Sequence, residues 1–391
     1  MESFFGNLHP ALAQTWQKLG SIVTIKGPRL TPRGTLRKLP TIACGDNYHI
    51  ATLRSDGLVF SSGTNTKGQL GDNTTVAKST FVQATGISNA VALACGLDFT
   101  IALRADGLVF GCGYNSSSGP IGDNTTLDRS TFVQGIGVSR VVAISCGSHH
   151  TAALRSDGLV FTSGSGGTGQ LANNTIVDQH TFVQAIGVSN AAAIACGRNT
   201  TAAIRSDGLV FACGDNAGGQ LGVNSTASKL TFTQAVGISN AVTIGISVGN
   251  FTVALRSDGL VFACGVNSKG QLGDNSASTA SKSTFVQALG ISNAVAIACG
   301  YDHAAALRAD GLVFTCGYNN KGQLGINSTV NKSSYVQASG ISNAVAIACG
   351  KDYTIALRAD GLIFGCGNNA NGQLSINSTT DKSTFVQATG I

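Results

Sequence analysis

The residues best suited to chemistry in this sequence are cysteines and histidines that stand a few positions apart. A Cys-Gly step is followed shortly by a histidine at His49, His150 and His303. Thiolates and imidazoles at short spacing are typical zinc ligands. Each such unit offers at most two ligands, however, and an aromatic residue takes the histidine's position in other copies, as at Phe99 and Phe251. We therefore expect no metal site and no cofactor, and interpret the histidines as packing or hydrogen-bonding residues.

The eleven cysteines fall into two columns that recur along the chain. One column precedes a glycine and the other lies in Phe-x-Cys-Gly; the members are Cys44, Cys95, Cys146, Cys196, Cys299 and Cys349, and then Cys112, Cys213, Cys264, Cys316 and Cys366. Serine replaces cysteine in the second column at Ser62 and Ser163, an exchange that a disulfide or a metal site would not tolerate. Free, buried thiols are expected, which suits a reducing intracellular compartment.

Arginine stands two residues before the aspartate of every Asp-Gly step. The seven members are Arg54, Arg104, Arg155, Arg205, Arg256, Arg308 and Arg358. A ring of arginines could face an anionic partner, but an acid two residues away in every copy favours another role. We predict that each arginine braces its own turn.

A second basic column is the better candidate for partner binding. Its members are Lys78, Arg129, Lys229, Lys282, Lys332 and Lys382. Six like charges on one rim would attract nucleic acid or an acidic protein. The acids Asp72, Asp123 and Asp274 weaken that field in three copies, and apolar residues replace them in three others. Those apolar residues suggest either an exposed patch or side chains that fold inward.

No Ser/His/Asp set, catalytic carboxylate pair or phosphate-binding loop interrupts these columns. Residues 164–169 read GSGGTG and match GxGxxG, but a dinucleotide site also needs a helix that begins at the last glycine. The sequence QLANN follows instead. We expect a protein that is not an enzyme.

The columns arise because one unit is repeated seven times. The Asp-Gly glycines from Gly57 to Gly361 are separated by 50, 51, 50, 51, 52 and 50 residues. A fixed period near fifty indicates one supersecondary unit that needs its neighbours to bury its apolar face. Each unit reads as four short strands with an Asp-Gly hairpin turn and no helix. The sequence predicts an all-β, seven-bladed β-propeller of four-stranded blades over residues 41–391. An extra residue in TIGISVGN is interpreted as a β-bulge in the first strand of the fifth repeat. We also expect the ring to close by pairing of its two ends, so that Phe385 and Val386 pack beside the blade that Thr41 begins.

The motif IACG-x-x-H-T-x-AL-R-x-DG-x-V-F-x-CG-x-N-x-x-GQLG-x-N resembles the regulator of chromosome condensation repeat across residues 41–391. The resemblance implies the same seven-bladed propeller. Known members of that repeat family include exchange factors for the Ran GTPase that also bind nucleosomes, ubiquitin-ligase accessory domains, ciliary adaptors, a plant UV-B photoreceptor, and bacterial inhibitors and effectors. The propeller lacks the clustered tryptophans of the photoreceptor and has no insertion long enough for the exchange factor's wedge.

Residues 1–40 have a different composition and are predicted to form a non-propeller N-terminal arm. They carry a net charge of +5, whereas the remainder of the chain carries +1. A short amphipathic helix over residues 10–19 would fold against a partner or the propeller. The candidate partner-binding residues of the arm are Trp16, Lys18, Lys26, Arg29, Arg33, Arg37 and Lys38.

These features favour a non-enzymatic scaffold, in which a rigid disc binds protein partners and the basic arm tethers it. The arm is also a candidate contact for an anionic surface or nucleic acid. Two alternatives remain: a structural component of a large assembly such as a virion or organellar particle, and a regulator of a GTPase or of chromatin. No stretch approaches the roughly 20 apolar residues of a membrane span, and no secretory signal is evident. We therefore expect no membrane span and an intracellular location.

Overall fold

The computed structural model describes residues 41–45, 49–276, 279–370 and 372–389, and the arm of residues 1–40 lies outside these ranges. The described residues form seven four-stranded antiparallel sheets arranged as the blades of a propeller, which confirms the predicted fold. Each sheet takes its four strands from one continuous stretch of chain, in sequence order from first to fourth. The blades are numbered here in chain order.

The strands follow the repeat. Blade 1 consists of β1 (Thr41–Cys44), β2 (His49–Leu53), β3 (Val59–Gly63) and β4 (Lys78–Gln83); blade 2 of β5 (Ala90–Cys95), β6 (Phe99–Arg104), β7 (Val109–Gly113) and β8 (Arg129–Gln134); blade 3 of β9 (Val141–Cys146), β10 (His150–Arg155), β11 (Val160–Gly164) and β12 (Gln179–Gln184); and blade 4 of β13 (Ala191–Cys196), β14 (Thr200–Arg205), β15 (Val210–Gly214) and β16 (Lys229–Gln234). Blade 5 consists of β17 (Ala241–Ile246), β18 (Phe251–Arg256), β19 (Val261–Gly265) and β20 (Lys282–Gln287); blade 6 of β21 (Ala294–Cys299), β22 (His303–Arg308), β23 (Val313–Gly317) and β24 (Lys332–Gln337); and blade 7 of β25 (Ala344–Cys349), β26 (Tyr353–Arg358), β27 (Ile363–Gly367) and β28 (Lys382–Gln387).

The Asp-Gly turn joins the second and third strands in every blade, and blade 6 shows why it needs glycine. The Gly311 amide donates to the Arg308 carbonyl at 3.0 Å, and the Arg308 amide donates to the Leu312 carbonyl at 2.9 Å. These bonds define a three-residue hairpin, in which the last turn residue takes a left-handed conformation. Gly311 has a φ of 81°. The turn therefore folds as the sequence predicts.

The disc has two distinct ends. First strands of neighbouring blades lie beside one another, so they are innermost and the fourth strands are outermost. The end that carries the Asp-Gly turns is called the turn face; first strands begin there and fourth strands end there. The opposite end, called the loop face, carries the long loops between third and fourth strands.

The extra residue of the fifth repeat does not form the predicted bulge. β17 has six residues, like the other first strands from β5 onward, and the added residue lies in the turn of residues 247–250. That turn is closed by the Ser247 amide, which donates to the Phe251 carbonyl at 2.9 Å. A register shift does occur at the start of β17, but the first strands of blades 2 to 7 all share it. A short turn accepts one more residue without disturbing the sheet, whereas a strand would lose its register.

The core consists of clusters that span neighbouring blades. Phe110 of β7 and Phe132 of β8 pack with Ala51 and Val59 of blade 1 in one such cluster. Phenylalanine recurs at these two positions, in the third strands and in most fourth strands, and therefore supplies blade-to-blade packing. Full burial of one such side chain contributes roughly 2–3 kcal/mol.

Ring closure differs from the expected pairing of the two chain ends. No sheet of the described residues joins strands from both ends, because β1 and β28 belong to separate complete blades. We predicted that Phe385 would pack beside blade 1, but it packs in the cluster between blades 6 and 7. Instead Ile50 and Phe81 of blade 1 pack with Tyr353 and other residues of blade 7. The prediction was wrong because each fourth-strand aromatic residue faces the preceding blade and not the following one.

Candidate protein-interaction faces

The arginine column lies on the turn face and braces it. In blade 6, Arg308 Nε donates to Asp310 Oδ2 at 2.9 Å, and Asp310 Oδ1 accepts the Leu312 amide at 3.2 Å. The Arg308 guanidinium also lies 5.0 Å from the ring centre of Phe314. All seven copies combine this ion pair with the cation–π contact, which the sequence alone did not suggest.

The ion pairs neutralise the arginine ring. The hydrogen bond from Arg155 lowers the pKa of Asp157 to about 2, so the aspartate remains charged beside its partner at any ordinary pH. The geometry therefore supports the predicted bracing role. The negative charge of the aspartate offsets the positive charge of the arginine, so the pair attracts an anionic partner only weakly.

Three buried histidines connect neighbouring blades. His49 Nε2 lies 3.1 Å from Thr100 Oγ1 of the next blade, and Thr100 Oγ1 donates to the Gln69 carbonyl at 2.8 Å. Because the threonine proton is used in that bond, the imidazole must donate through Nε2 and leave Nδ1 without a proton. His150 and His303 repeat the arrangement with Thr201 and Thr354.

Burial keeps these imidazoles neutral. The pKa of His49 falls from 6.5 to about 4, that of His303 to about 4 and that of His150 to about 3, in each case chiefly through desolvation. Each Nδ1 atom is buried without a hydrogen-bond partner. The histidines are therefore structural contacts between blades. Among the described residues, no group of three or more His, Cys, Asp or Glu side chains is placed to hold a metal ion.

The ten described cysteines outside Cys44 are buried and free. Burial raises the pKa of Cys196 and Cys349 to about 12, which makes both thiols poor nucleophiles at neutral pH. Cys112 Sγ lies 3.5 Å from the Gln69 carbonyl oxygen, so the thiol acts as a small packing group with a weak donor.

The second basic column lies on the loop face, where the fourth strands begin. Arg129 pairs with Asp123, Lys78 Nζ lies 3.6 Å from Asp72, and Lys282 Nζ lies 4.0 Å from its aspartate. These pairs offset the positive charge of three of the six members of the column. Lys229, Lys332 and Lys382 belong to the copies in which an apolar residue replaces the acid, and no ion pair involves them in the part of the chain that the structure describes.

The apolar replacements do not form the exposed patch that we considered. Val223, Ile326 and Ile376 are only partly exposed. Val223 packs with Leu221, and Ile376 packs in the cluster that contains Leu374. The loop pairs with the fourth strand of the next blade at Val223 and Ile326, and the side chains of Val223 and Ile376 pack inward. Residues 164–178, which contain the GxGxxG match, run from β11 into the loop before β12 and include no helix.

An apolar ring on the turn face was not predicted from the sequence. The second residue of the innermost strand is the bulged position in blades 2 to 7. Four of these residues are large and 46–57% exposed: Val142, Val242, Val295 and Val345. The apolar run of the first strands indicates burial at this position, but the side chains at the register shift are exposed.

The structure describes one of the two sets of predicted binding residues. The column of Lys78, Arg129, Lys229, Lys282, Lys332 and Lys382 is on the loop face. The arm residues Trp16, Lys18, Lys26, Arg29, Arg33, Arg37 and Lys38 lie outside the described residues, but Thr41, to which the arm leads, begins β1 at the turn face. The first described residue after the arm in sequence is therefore on the face that carries the valine ring. Across the described ranges, no helix is long and apolar enough to cross a membrane.

Comparison with known proteins identifies the repeat. A family model described as RCC1-like domain matches residues 13–289. Models of the regulator of chromosome condensation (RCC1) repeat match residues 294–323, 344–373 and 310–357. Together these matches begin at residue 13 and end at residue 373, within blade 7 and before β28.

Two relatives are similar over a limited stretch. The human probable E3 ubiquitin-protein ligase HERC3 is 35% identical over 144 residues, which cover 36% of this chain and 14% of the ligase. The secretion-regulating guanine nucleotide exchange factor of Bos taurus is 35% identical over 126 residues, 31% of this chain and 27% of that protein. The matches thus span about a quarter or less of these relatives' lengths.

Solved structures share the fold. Yeast RCC1 (Prp20), in its complex with Kap60, has a TM-score of 0.70 at 20% identity and covers 86% of this chain and 85% of its own. Human WBSCR16 has a TM-score of 0.67 at 22% identity and covers 80% of this chain and 86% of its own. At such identities the likeness concerns the fold alone. Because the RCC1-like domain model matches well over half of the chain, this protein belongs to the RCC1-like domain family.

Proposed function

We propose that this protein is a non-enzymatic binding scaffold whose turn face holds a protein partner. The observation that carries the proposal is the ring of Val142, Val242, Val295 and Val345, which are 46–57% exposed beside braced turns. Exposed apolar side chains that lie together on a rigid face are typical of interaction sites. The recurring histidines, cysteines and turn-face arginines, by contrast, make hydrogen bonds, packing contacts or ion pairs within and between blades.

The basic arm makes the proposed site asymmetric. Residues 1–40 carry a net charge of +5 and lead into β1 at the turn face. A partner with an apolar patch bordered by acidic residues would use both features, since the arm would speed association and the valines would slow dissociation. The same arm is the proposed contact for an anionic surface or nucleic acid. The buried free thiols support placement in a reducing intracellular compartment.

The test compares two surface variants of the full chain. The turn-face variant carries Val142→Glu, Val295→Glu and Val345→Glu, and its matched control carries Val76→Glu, Leu127→Glu and Val330→Glu on the loop face, where each side chain is 63% exposed. Partners are isolated from cell extract and identified by mass spectrometry, and purified candidates are then measured by calorimetry. We expect the Kd of the turn-face variant for the partner to be at least tenfold higher, and the Kd of the control to be unchanged. Equal binding by both variants would refute the assignment of the turn face.

A regulator of a small GTPase is the second candidate, favoured by the relative named as a guanine nucleotide exchange factor. Accelerated release of labelled nucleotide from a GTPase by the full chain would favour this function. Tight binding without any effect on release would favour the scaffold. DNA binding through the arm would fall steeply with salt and disappear on deletion of residues 1–40.

A further inference from the structure

The outer edge of a fourth strand is covered by the preceding blade in six of the seven blades. At β12, the Asn124 amide donates to the His180 carbonyl and the Phe182 amide donates to the Ile136 carbonyl, both at 2.8 Å. The pair of bonds recurs on β8, β16, β20, β24 and β28. The loop before the fourth strand of the preceding blade and the connection after that strand thus act together as a fifth strand. They provide hydrogen-bond partners for the backbone groups at the rim.

β4 of blade 1 lacks this cover. Its equivalent groups are the Ser79 carbonyl and the Phe81 amide, and neither makes such a bond to the described residues of blade 7. Ser79 and Thr80 are exposed, whereas their counterparts in β12 are half-buried. Phe81 is itself only half-buried, although the six equivalent aromatic side chains are 3–4% exposed.

A glycine of the blade 7 loop marks the same gap independently. A Cβ atom on Gly322 would lie 2.6 Å from Ser383 Cα of the next blade, and one on Gly68 would lie 2.6 Å from Ser130 Cα. A Cβ atom on the equivalent Gly372 would meet nothing within 4 Å. The blade 7 loop therefore stands away from β4, even though Phe81 still packs with Ile376.

We infer that the open edge of β4 binds residues 21–26 of the same chain as an added β-strand. The sequence there is Ser-Ile-Val-Thr-Ile-Lys, with four consecutive β-branched residues between Gly20 and a Gly-Pro step. Such a run between turn residues is a strand signal, and an exposed edge with free amide and carbonyl groups pairs readily with it. This inference concerns the blade itself and does not depend on the proposed partner.

The length of the chain permits this pairing within one molecule. Residues 27–40 lead from the segment to β1 and span up to about 45 Å when extended. The position beyond β4 lies four strand spacings from β1, or about 19 Å. A tethered segment has an effective concentration in the millimolar range, which favours it over a second copy in dilute solution.

Amide hydrogen exchange of the full chain tests the inference. We expect the Phe81 amide to exchange as slowly as the Phe132 amide, which donates to the Thr85 carbonyl. A Val23→Pro/Thr24→Pro variant removes consecutive backbone donors of the segment, so that either strand register is disrupted. Exchange at Phe81 should then become at least about tenfold faster while exchange at Phe132 is unchanged.

Thr15→Pro is the matched control, since it changes the arm outside the segment and should leave Phe81 protected. Fast exchange at Phe81 in the unaltered protein would overturn the inference, as would protection that survives Val23→Pro/Thr24→Pro. Light scattering distinguishes pairing within one molecule from pairing between two copies of the chain. Protection that appears only in a dimer would assign the edge to a second copy and overturn the intramolecular pairing.

Discussion

Acidification should destabilise this propeller through its three buried histidines. His49, His150 and His303 have folded-state pKa values of about 4, 3 and 4, against 6.5 in the unfolded chain. The unfolded state therefore takes up protons below pH 6.5 while the folded state does not. Stability from these groups is fully present above pH 6.5 and is lost as the pH falls toward the folded-state values.

The size of the effect follows from the pKa difference. At pH 5 protonation lowers the free energy of the unfolded chain by about 2 kcal/mol for each histidine, and the folded-state pKa values are low enough to leave the folded state almost unchanged. The three sites together reduce the free energy of unfolding by about 6 kcal/mol between pH 8 and pH 5. Protonation in the folded state is costly because Nε2 already donates to threonine and Nδ1 has no acceptor.

Equilibrium urea unfolding at pH 8 and pH 5 measures this loss. The matched control is the variant His49→Phe/His150→Phe/His303→Phe, because blades 2 and 5 already place Phe99 and Phe251 at the same position. The difference in pH dependence between the two proteins isolates the histidines from other titrating groups, including Asp302 and Asp352, whose pKa values are raised by burial. An equal pH dependence in both proteins would refute the reasoning.

Three further outcomes are expected. Alkylation of the denatured, unreduced protein should label all eleven cysteines, and recovery of a Cys95–Cys112 cross-link would contradict free thiols and the reducing compartment. Arg256→Ala should lower the melting temperature while partner binding is kept, because the side chain pairs with Asp258 and covers Phe262; unchanged melting with lost binding would make the arginine ring functional. Deletion of residues 384–391 should lower the melting temperature and produce oligomers by light scattering, because it removes Phe385 from the core between blades 6 and 7; an unaltered monomer would contradict that packing.

Local sequence features predicted much of what a single blade contains. The period near fifty gave seven units, the short apolar runs gave the strands, and the Asp-Gly step gave the hairpin turn with glycine at positive φ. These features depend on residues within a few positions of one another, so they are visible in one chain. The interpretation of the arginine column as a brace rested on the same kind of proximity, because the aspartate stands two residues away.

Contacts between blades were accessible only in the tertiary structure. The hydrogen bond from His49 to Thr100 joins residues 51 apart, and nothing in the local pattern specifies which neighbouring blade a side chain faces. The direction assigned to Phe385 was wrong for this reason. The register shift that exposes Val142 likewise depends on how β9 pairs with β10.

The open edge of β4 shows most directly which features the local sequence does not predict. Its sequence, KSTFVQ, is identical to that of β20 and β28, yet those two strands are covered by the preceding blade and β4 is not. The sequence by itself determined that this strand would form and which residues it would contain. Only the tertiary structure decided what lies beside it, because identical repeats acquire different surroundings from their position in the ring.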